Sequence, residues 1–259
     1  MKKEVIDRTG RYVSFSYPPK RVISLCPGIT DTLFALGLEQ EIVGRTRFCK
    51  YPEDQVQSVP AVAGTKDLKL DAILAAAPDL VILEKEENTK EMAELLEQHV
   101  PVYVAEVQTI HEAYQMIETM GDLTNRKHEA KKLMAEIRDR FDHLTNRAGA
   151  RAAYVIWKKP YMVVGKDTYI QDVLQRLGFE NPFRQKEGRY PTVTPEDFQQ
   201  AGLETIFLAS EPYPFKEKHL EEFKKMAPEA EIVLIDGEMF WYGPRMLDAP
   251  AYFNKKLGM

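Results

Sequence analysis

Short alternating runs open the chain. Glu4–Arg8 and Tyr12–Tyr17 flank Thr9-Gly10, and Pro18-Pro19 closes the second run, which predicts a β-hairpin. The pattern then turns to unbroken apolar runs. Arg21–Leu25 (RVISL) is bounded by turn residues and reads as a buried strand. Thr30 is placed to cap an amphipathic helix carrying Leu33, Phe34 and Leu36 on one face and ended by Gly37. Ile42–Gly44, Asp79–Leu83 and Val100–Val104 read as further strands, with helices over Leu70–Ala76 and Thr89–Gln98. Strands alternating with helices predict a parallel sheet covered on both faces.

The middle of the chain carries a different period. From Ile110 to about Arg147 no strand pattern occurs, and Leu133, Met134, Ile137, Phe141 and Leu144 recur at helical spacing. Gly121 and Thr124-Asn125 are expected to separate a helix over Ile110–Met120 from a later one of ~20 residues, ~30 Å long. The α/β alternation then restarts. Ala152–Trp157, Met162–Val164, Thr205–Ala209 and Ile232–Ile235 read as strands. Tyr169–Leu177 (ended by Gly178), Pro195–Ala201, Leu220–Met226 and a tail over Met246–Lys255 interrupted by Pro250 read as helices.

The expected organisation is therefore an α/β lobe over 1–109, a helical connector over 110–148 and a second α/β lobe over 149–259. Leu68–Leu83 and Val193–Ala209 share one plan: an acidic residue opening a short helix, a turn, then an apolar strand. Two lobes of related build account for this, and so do two ordinary αβ units.

Composition narrows the function. The 259 residues are 44% hydrophobic and 29% charged, ordinary for a globular chain with room for real cores. The net charge is -5 and no basic tract or stripe occurs, which argues against nucleic acid as a partner. Met1-Lys2-Lys3 is not followed by an apolar segment, so the chain as it stands carries no export signal. It is expected to be cytoplasmic if Met1 is native, and extracytoplasmic if a signal or lipoprotein segment was removed. Two cysteines, Cys26 and Cys49, are too few for a disulfide framework or a structural zinc site. No Gly-x-Ser-x-Gly, Walker or His-Glu-x-x-His pattern occurs, so no enzyme class is indicated.

Seven segments in order carry a family likeness: PPKRVISLCPGITDTLFALGL, FCKYP, AGTKDLKLDAILAAAPDLVIL, KEEN, GKDTYIQDVLQRLGFENPF, YPTVTPEDF and DGEMFWYGPR. Across almost its whole length the chain resembles the helical-backbone (class III) solute-binding proteins of ABC importers, which include binders of vitamin B12, haem and ferric siderophores. The resemblance implies two Rossmann-like α/β lobes with parallel sheets joined by a long backbone helix. It implies a ligand cleft between them, holding a corrinoid first, a ferric siderophore or haem next, and no catalytic cofactor. It also implies an acidic residue on each lobe that docks the importer's permease, at Asp71 and Glu196. Asp71 stands where the family more usually has Glu. A monomer is expected.

In open α/β sheets ligands bind beyond the carboxyl ends of the strands. On the first lobe those loops carry Cys26, Pro27, Arg47, Phe48, Cys49, Tyr51, Thr65 and Lys66, with Glu84, Glu87 and Asn88 beside them. On the second they carry Trp157, Tyr190, Glu211, Tyr213, Phe240, Trp241, Tyr242 and Arg245. Aromatics crowd this set, as a flat macrocycle requires. By resemblance Phe48, Thr65 and Tyr190 fall where vitamin B12 binders make aromatic contacts, and Thr65 is not aromatic. Arg47, Lys66 and Arg245 suit carboxylates of haem or a siderophore.

Each assignment has a plainer alternative. Phe240-Trp241-Tyr242 can be a lid on the core. Arg45 and Arg47 can be solvated or ion-paired, and the acidic residues of Lys85–Asn88 can serve a helix N-terminus. Cys26 and Cys49 can be small buried residues, metal-coordinating thiolates or a redox pair. The histidines map to helix ends and faces, which disfavours a His-ligated haem. A cytoplasmic cofactor-binding or sensing protein of the same fold, with no transporter, is the alternative function.

Overall fold

The structure is a computed structural model that describes residues 1–147 and 149–258. It divides into two compact units. Unit 1 comprises Met1–Val107 and His111–Arg138, and unit 2 comprises Gln108–Ile110 and Asp139 onward. The chain thus passes between units at 107–111 and again inside a helix.

Unit 1 opens with the hairpin β1 (Lys2–Ile6) and β2 (Tyr12–Ser16). Its first arm lies two residues earlier than Glu4–Arg8, because Asp7 builds the turn. The buried Asp7 carboxylate accepts from the Thr9 and Arg11 backbone N–H, the Arg11 guanidinium and the Val104 N–H. That last bond ties the turn to the sheet.

The sheet itself is built from β3 (Val22–Ser24), β4 (Ile42–Thr46), β5 (Ala61–Ala63), β6 (Leu80–Glu84) and β7 (Val102–Ala105). The strands are parallel, in the order β5-β4-β3-β6-β7. The connecting helices are α1 (Pro27–Ala35), α2 (Glu53–Val56), α3 (Leu70–Ala75) and α4 (Lys90–Leu96). Ile23, Leu25, Ile73, Val81, Leu83, Leu96 and Val104 fill one core between sheet and helices.

Two expectations, for Thr30 and for Arg45, need correcting here. Helix α1 starts at Pro27, not after Thr30. Proline costs nothing at a first helical position, whose N–H has no partner inside the helix. The Thr30 hydroxyl instead bonds Ser24 Oγ and the Cys26 carbonyl within the helix start. The short elements α2 and β5 were not anticipated, since four and three residues are too few to show a period. Arg45 is buried and donates to the carbonyls of Thr46, Val56 and Val59, fastening this segment.

Helices α5 (Ile110–Thr124) and α6 (Lys127–Asp142) follow. The break falls at Asn125, which adopts a left-handed φ of 60, and not at Gly121. Gly121 lies inside α5 at a close approach: a Cβ there would sit 2.5 Å from the Ala130 Cβ and 2.9 Å from the Arg126 carbonyl oxygen. Helix α6 has 16 residues, and the boundary between units falls within it.

Unit 2 contains β8 (Ala152–Trp157), β9 (Tyr161–Val163), α7 (Tyr169–Arg176), β10 (Thr192–Val193), α8 (Pro195–Gln200), β11 (Thr205–Ala209), α9 (Leu220–Met226), β12 (Glu231–Ile235) and α10 (Ala249–Lys256). The sheet order is β10-β9-β8-β11-β12. β8, β11 and β12 are parallel, but β9 runs antiparallel to both β8 and β10. The expected parallel strands make up the rest of the sheet, and β9 is the exception. The link from Trp157 to Tyr161 is too short for a crossover and permits only a hairpin. Phe198 and Phe223 meet edge-on at 5.7 Å in the core of this unit. Pro250 opens α10 in its first turn and does not interrupt it. Among the described residues no helix is long and apolar enough to cross a membrane.

Candidate functional site

In unit 1 the loops beyond the carboxyl ends of the strands are held by two side chains. Asn88 is buried; its amide oxygen accepts from the Glu84 N–H at 2.9 Å, and its amide nitrogen donates to the carbonyls of Leu25 and Thr65, each at 2.9 Å. One residue therefore joins the loops after β3, β5 and β6. Glu84 ends β6 and is also buried. Its Oε2 accepts from the N–H of Glu86 and of Glu87, and its Oε1 from that of Val107, where the chain leaves unit 1. Burial pushes the Glu84 carboxyl up to about 7 against those three donors. Burial raises Glu87 as well.

This scaffold presents Phe48, 44% exposed at the end of β4. The Arg47 guanidinium lies 4.7 Å from the Phe48 ring centroid and bonds Asp67 Oδ2 at 2.7 Å. The guanidinium holds the Asp67 carboxyl below its usual range. Lys66 is exposed and donates to the Glu86 carbonyl. Tyr51 and Thr65 are half-buried. Pro27, Cys26 and Cys49 are buried within the helix start and the β4 loop. The Cys49 thiol bonds the Thr30 hydroxyl and lies 3.3 Å from that of Thr46, and neither cysteine is in a disulfide. Among the described residues no group of three or more His, Cys, Asp or Glu is arranged to hold a metal ion.

In unit 2, Trp157 ends β8 and is 41% exposed, with Tyr213 edge-on at 5.6 Å. Tyr213 in turn packs on Phe215 and on His219. His219 stands at the end of a 3₁₀ turn, where α9 begins. It is buried behind Tyr213, its Nδ1 accepts from the Lys216 N–H, and burial holds its imidazole below the usual range. Glu211 follows β11 and accepts from the Trp241 indole N–H. Tyr242 meets Tyr169 at 5.7 Å, and Arg245 pairs with Asp248 at 3.1 Å. Tyr190 is half-buried and flanks β9, where the carbonyls on either side of it accept from Val163 and Gly165.

The aromatic triplet splits. Phe240 is 3% exposed and packs between Tyr154 and Phe253, as a lid on the core would, whereas Trp241 and Tyr242 are only half-buried. Asp71 and Glu196 are both exposed in the first turns of α3 and α8. Helix α8 has a Thr194–Asp197 capping box, while α3 has no side-chain cap. Asp67 was not among the sequence candidates. It sits twenty residues from Arg47 with no periodic signal linking the two.

Residues 22–231 match the model of the periplasmic binding protein family. The vitamin B12-binding protein of Vibrio campbellii is 27% identical over 197 residues, 74% of this chain and 71% of that protein. A solved Fe3+-hydroxamate transport system protein from Saccharomonospora viridis has a TM-score of 0.79 at 21% identity, covering 99% of both chains. The periplasmic haem-binding protein of Roseiflexus sp. RS-1 has a TM-score of 0.73 at 19% identity, covering 92% of this chain and 98% of its own. The chain belongs to the periplasmic binding protein family. As a member of that family it is a binding protein and not an enzyme.

Proposed function

We propose that this member of the periplasmic binding protein family is a monomer that captures a metal chelate and delivers it to the permease of an ABC importer. A corrinoid is the first choice of ligand, a ferric siderophore or haem the next. The supporting observation is Trp157: an indole 41% exposed at the carboxyl end of a central strand, backed by Tyr213. A rigid planar surface left open at that place suits a flat, largely apolar ligand. Phe48 offers a further exposed ring at a strand end of unit 1. The vitamin B12-binding relative supports the corrinoid. Asp71 and Glu196 dock the permease through their exposed carboxylates.

Tryptophan fluorescence tests this directly. The protein is titrated in parallel with cyanocobalamin, haemin and a ferric catecholate, with inner-filter correction. Saturable quenching by one ligand at about micromolar concentration or below names the class. No response to any of the three sinks the assignment.

A further inference from the structure

The Arg47 guanidinium is not an open receptor for a ligand acid. One end already holds a carboxylate of this chain, Asp67 Oδ2 at 2.7 Å, and its plane lies against Phe48 at 4.7 Å. The loop carrying Asp67 is shaped to deliver that carboxylate. The Gly64 N–H donates to the Asp67 carbonyl, and the Asp67 side chain crosses so closely over Gly64 that a Cβ there would lie 1.8 Å from Oδ1 and 2.9 Å from the Arg47 nitrogen. A side chain at Gly64 would push the pair out of this arrangement. Lys66, the neighbouring cation, is likewise turned to an oxygen of its own unit, the Glu86 carbonyl, with Glu86 and Glu87 beside it.

We propose that Asp67 sets the charge preference of the unit 1 ligand face: by occupying Arg47 it favours an uncharged, amide-bearing ligand edge over a carboxylate-bearing one. The inference rests on the ligand-binding role of the Phe48 face proposed above. A ligand carboxylate must either displace Asp67 or share the guanidinium with it, and in both cases meets the Asp67 charge beside it. An amide edge instead packs on Phe48 and the stacked guanidinium with the pair intact. The Asp67 carboxyl, held low by Arg47, stays ionised throughout the neutral range.

Matched probes separate charge from shape: cyanocobalamin against its derivative with one peripheral amide hydrolysed to a carboxylate, and haemin against its dimethyl ester. Equilibrium affinities are measured for the full chain and for Asp67→Asn, Arg47→Gln and the double variant. Asp67→Asn is expected to raise the carboxylate-to-neutral affinity ratio about two- to fivefold, the scale of an exposed ion pair. The double variant is expected to lose that gain. Equal shifts for both members of a pair, or a gain that survives Arg47→Gln, would overturn the inference while leaving the binding face intact. If the wild-type chain binds none of the probes, or Phe48→Ala changes no affinity, the ligand face itself fails.

Discussion

Trp241 donates its indole N–H to a carboxylate oxygen of Glu211, a residue thirty positions earlier at the end of β11. The Glu211 side chain lies over Gly237, where a Cβ would come within 2.7 Å of its Cγ. A half-buried ring is thus held in one orientation by a charged acceptor seated on a neighbouring turn. A hydrogen bond to a charged group contributes about 1.5–3 kcal/mol. Glu211→Ala is therefore expected to weaken ligand binding roughly tenfold, corresponding to ~1.4 kcal/mol, while Glu211→Gln retains most of the affinity. Fluorescence titration of both variants decides it: an unchanged affinity in Glu211→Ala would remove Trp241's orientation from the binding account.

Glu84 gives stability a pH dependence of unusual sign for a carboxylate. Its folded pKa of about 7 lies above the usual 4.5. Between those values the native state binds more protons than the unfolded chain, so this group's contribution to stability falls as pH rises. Glu87, also raised by burial, adds to the same trend. The wild-type advantage over Glu84→Gln is expected to shrink between pH 5 and pH 8 by on the order of 3 kcal/mol. Urea unfolding at the two pH values measures it, and a constant difference would mean that Glu84 titrates normally.

Asn88 holds three loops through buried bonds to Glu84 N, Leu25 O and Thr65 O. Asn88→Ala leaves those groups without a side-chain partner. The expected cost is about 2–4 kcal/mol, from a penalty of ~1–3 kcal/mol for each buried group not rescued by water. Thermal unfolding would show it, together with faster amide exchange in the loop after β5. A wild-type melting curve would show that the loops stand without this residue.

Asp71 and Glu196 are exposed and lie in the first turns of separate helices, so charge reversal there leaves both cores untouched. The double variant Asp71→Arg and Glu196→Arg is expected to bind ligand as the wild type does and to fail in uptake with a reconstituted importer. Continued uptake would exclude these carboxylates from docking.

Gly121 sits against Ala130 where helices α5 and α6 meet. Gly121→Val forces that contact apart and is expected to cost about 1–3 kcal/mol, the usual range for overpacking. Chemical denaturation provides the figure. A neutral result would show that the Arg126 turn gives way freely.

Much of the candidate site could be read from the chain, because ligand loops in α/β sheets follow the strands and the strands were visible as apolar runs. Phe48, Trp157 and Trp241 are placed in that way; Phe48 and Trp157 are exposed and Trp241 is half-buried. Their partners were not legible. Arg47 finds Asp67, and Trp241 finds Glu211, only because separate loops of the same unit converge beyond the strand ends of its sheet. Phe240 and Trp241 are neighbours in the chain, yet one enters the core and the other does not, since a 3₁₀ turn over Gly237–Phe240 directs consecutive side chains apart.

By itself the sequence determined the α/β class, the helical middle over residues 110–142 and the order of the long strands. These rest on the period of burial, a local property that survives in one dimension. Tertiary structure alone decided the antiparallel β9, the start of α1 at Pro27, and the burial of Glu84 and Asn88 as fasteners behind the loops that follow the strands. Each depends on which distant backbone groups need a partner once water has been excluded, and a buried N–H or carbonyl takes whichever polar side chain the fold brings within reach.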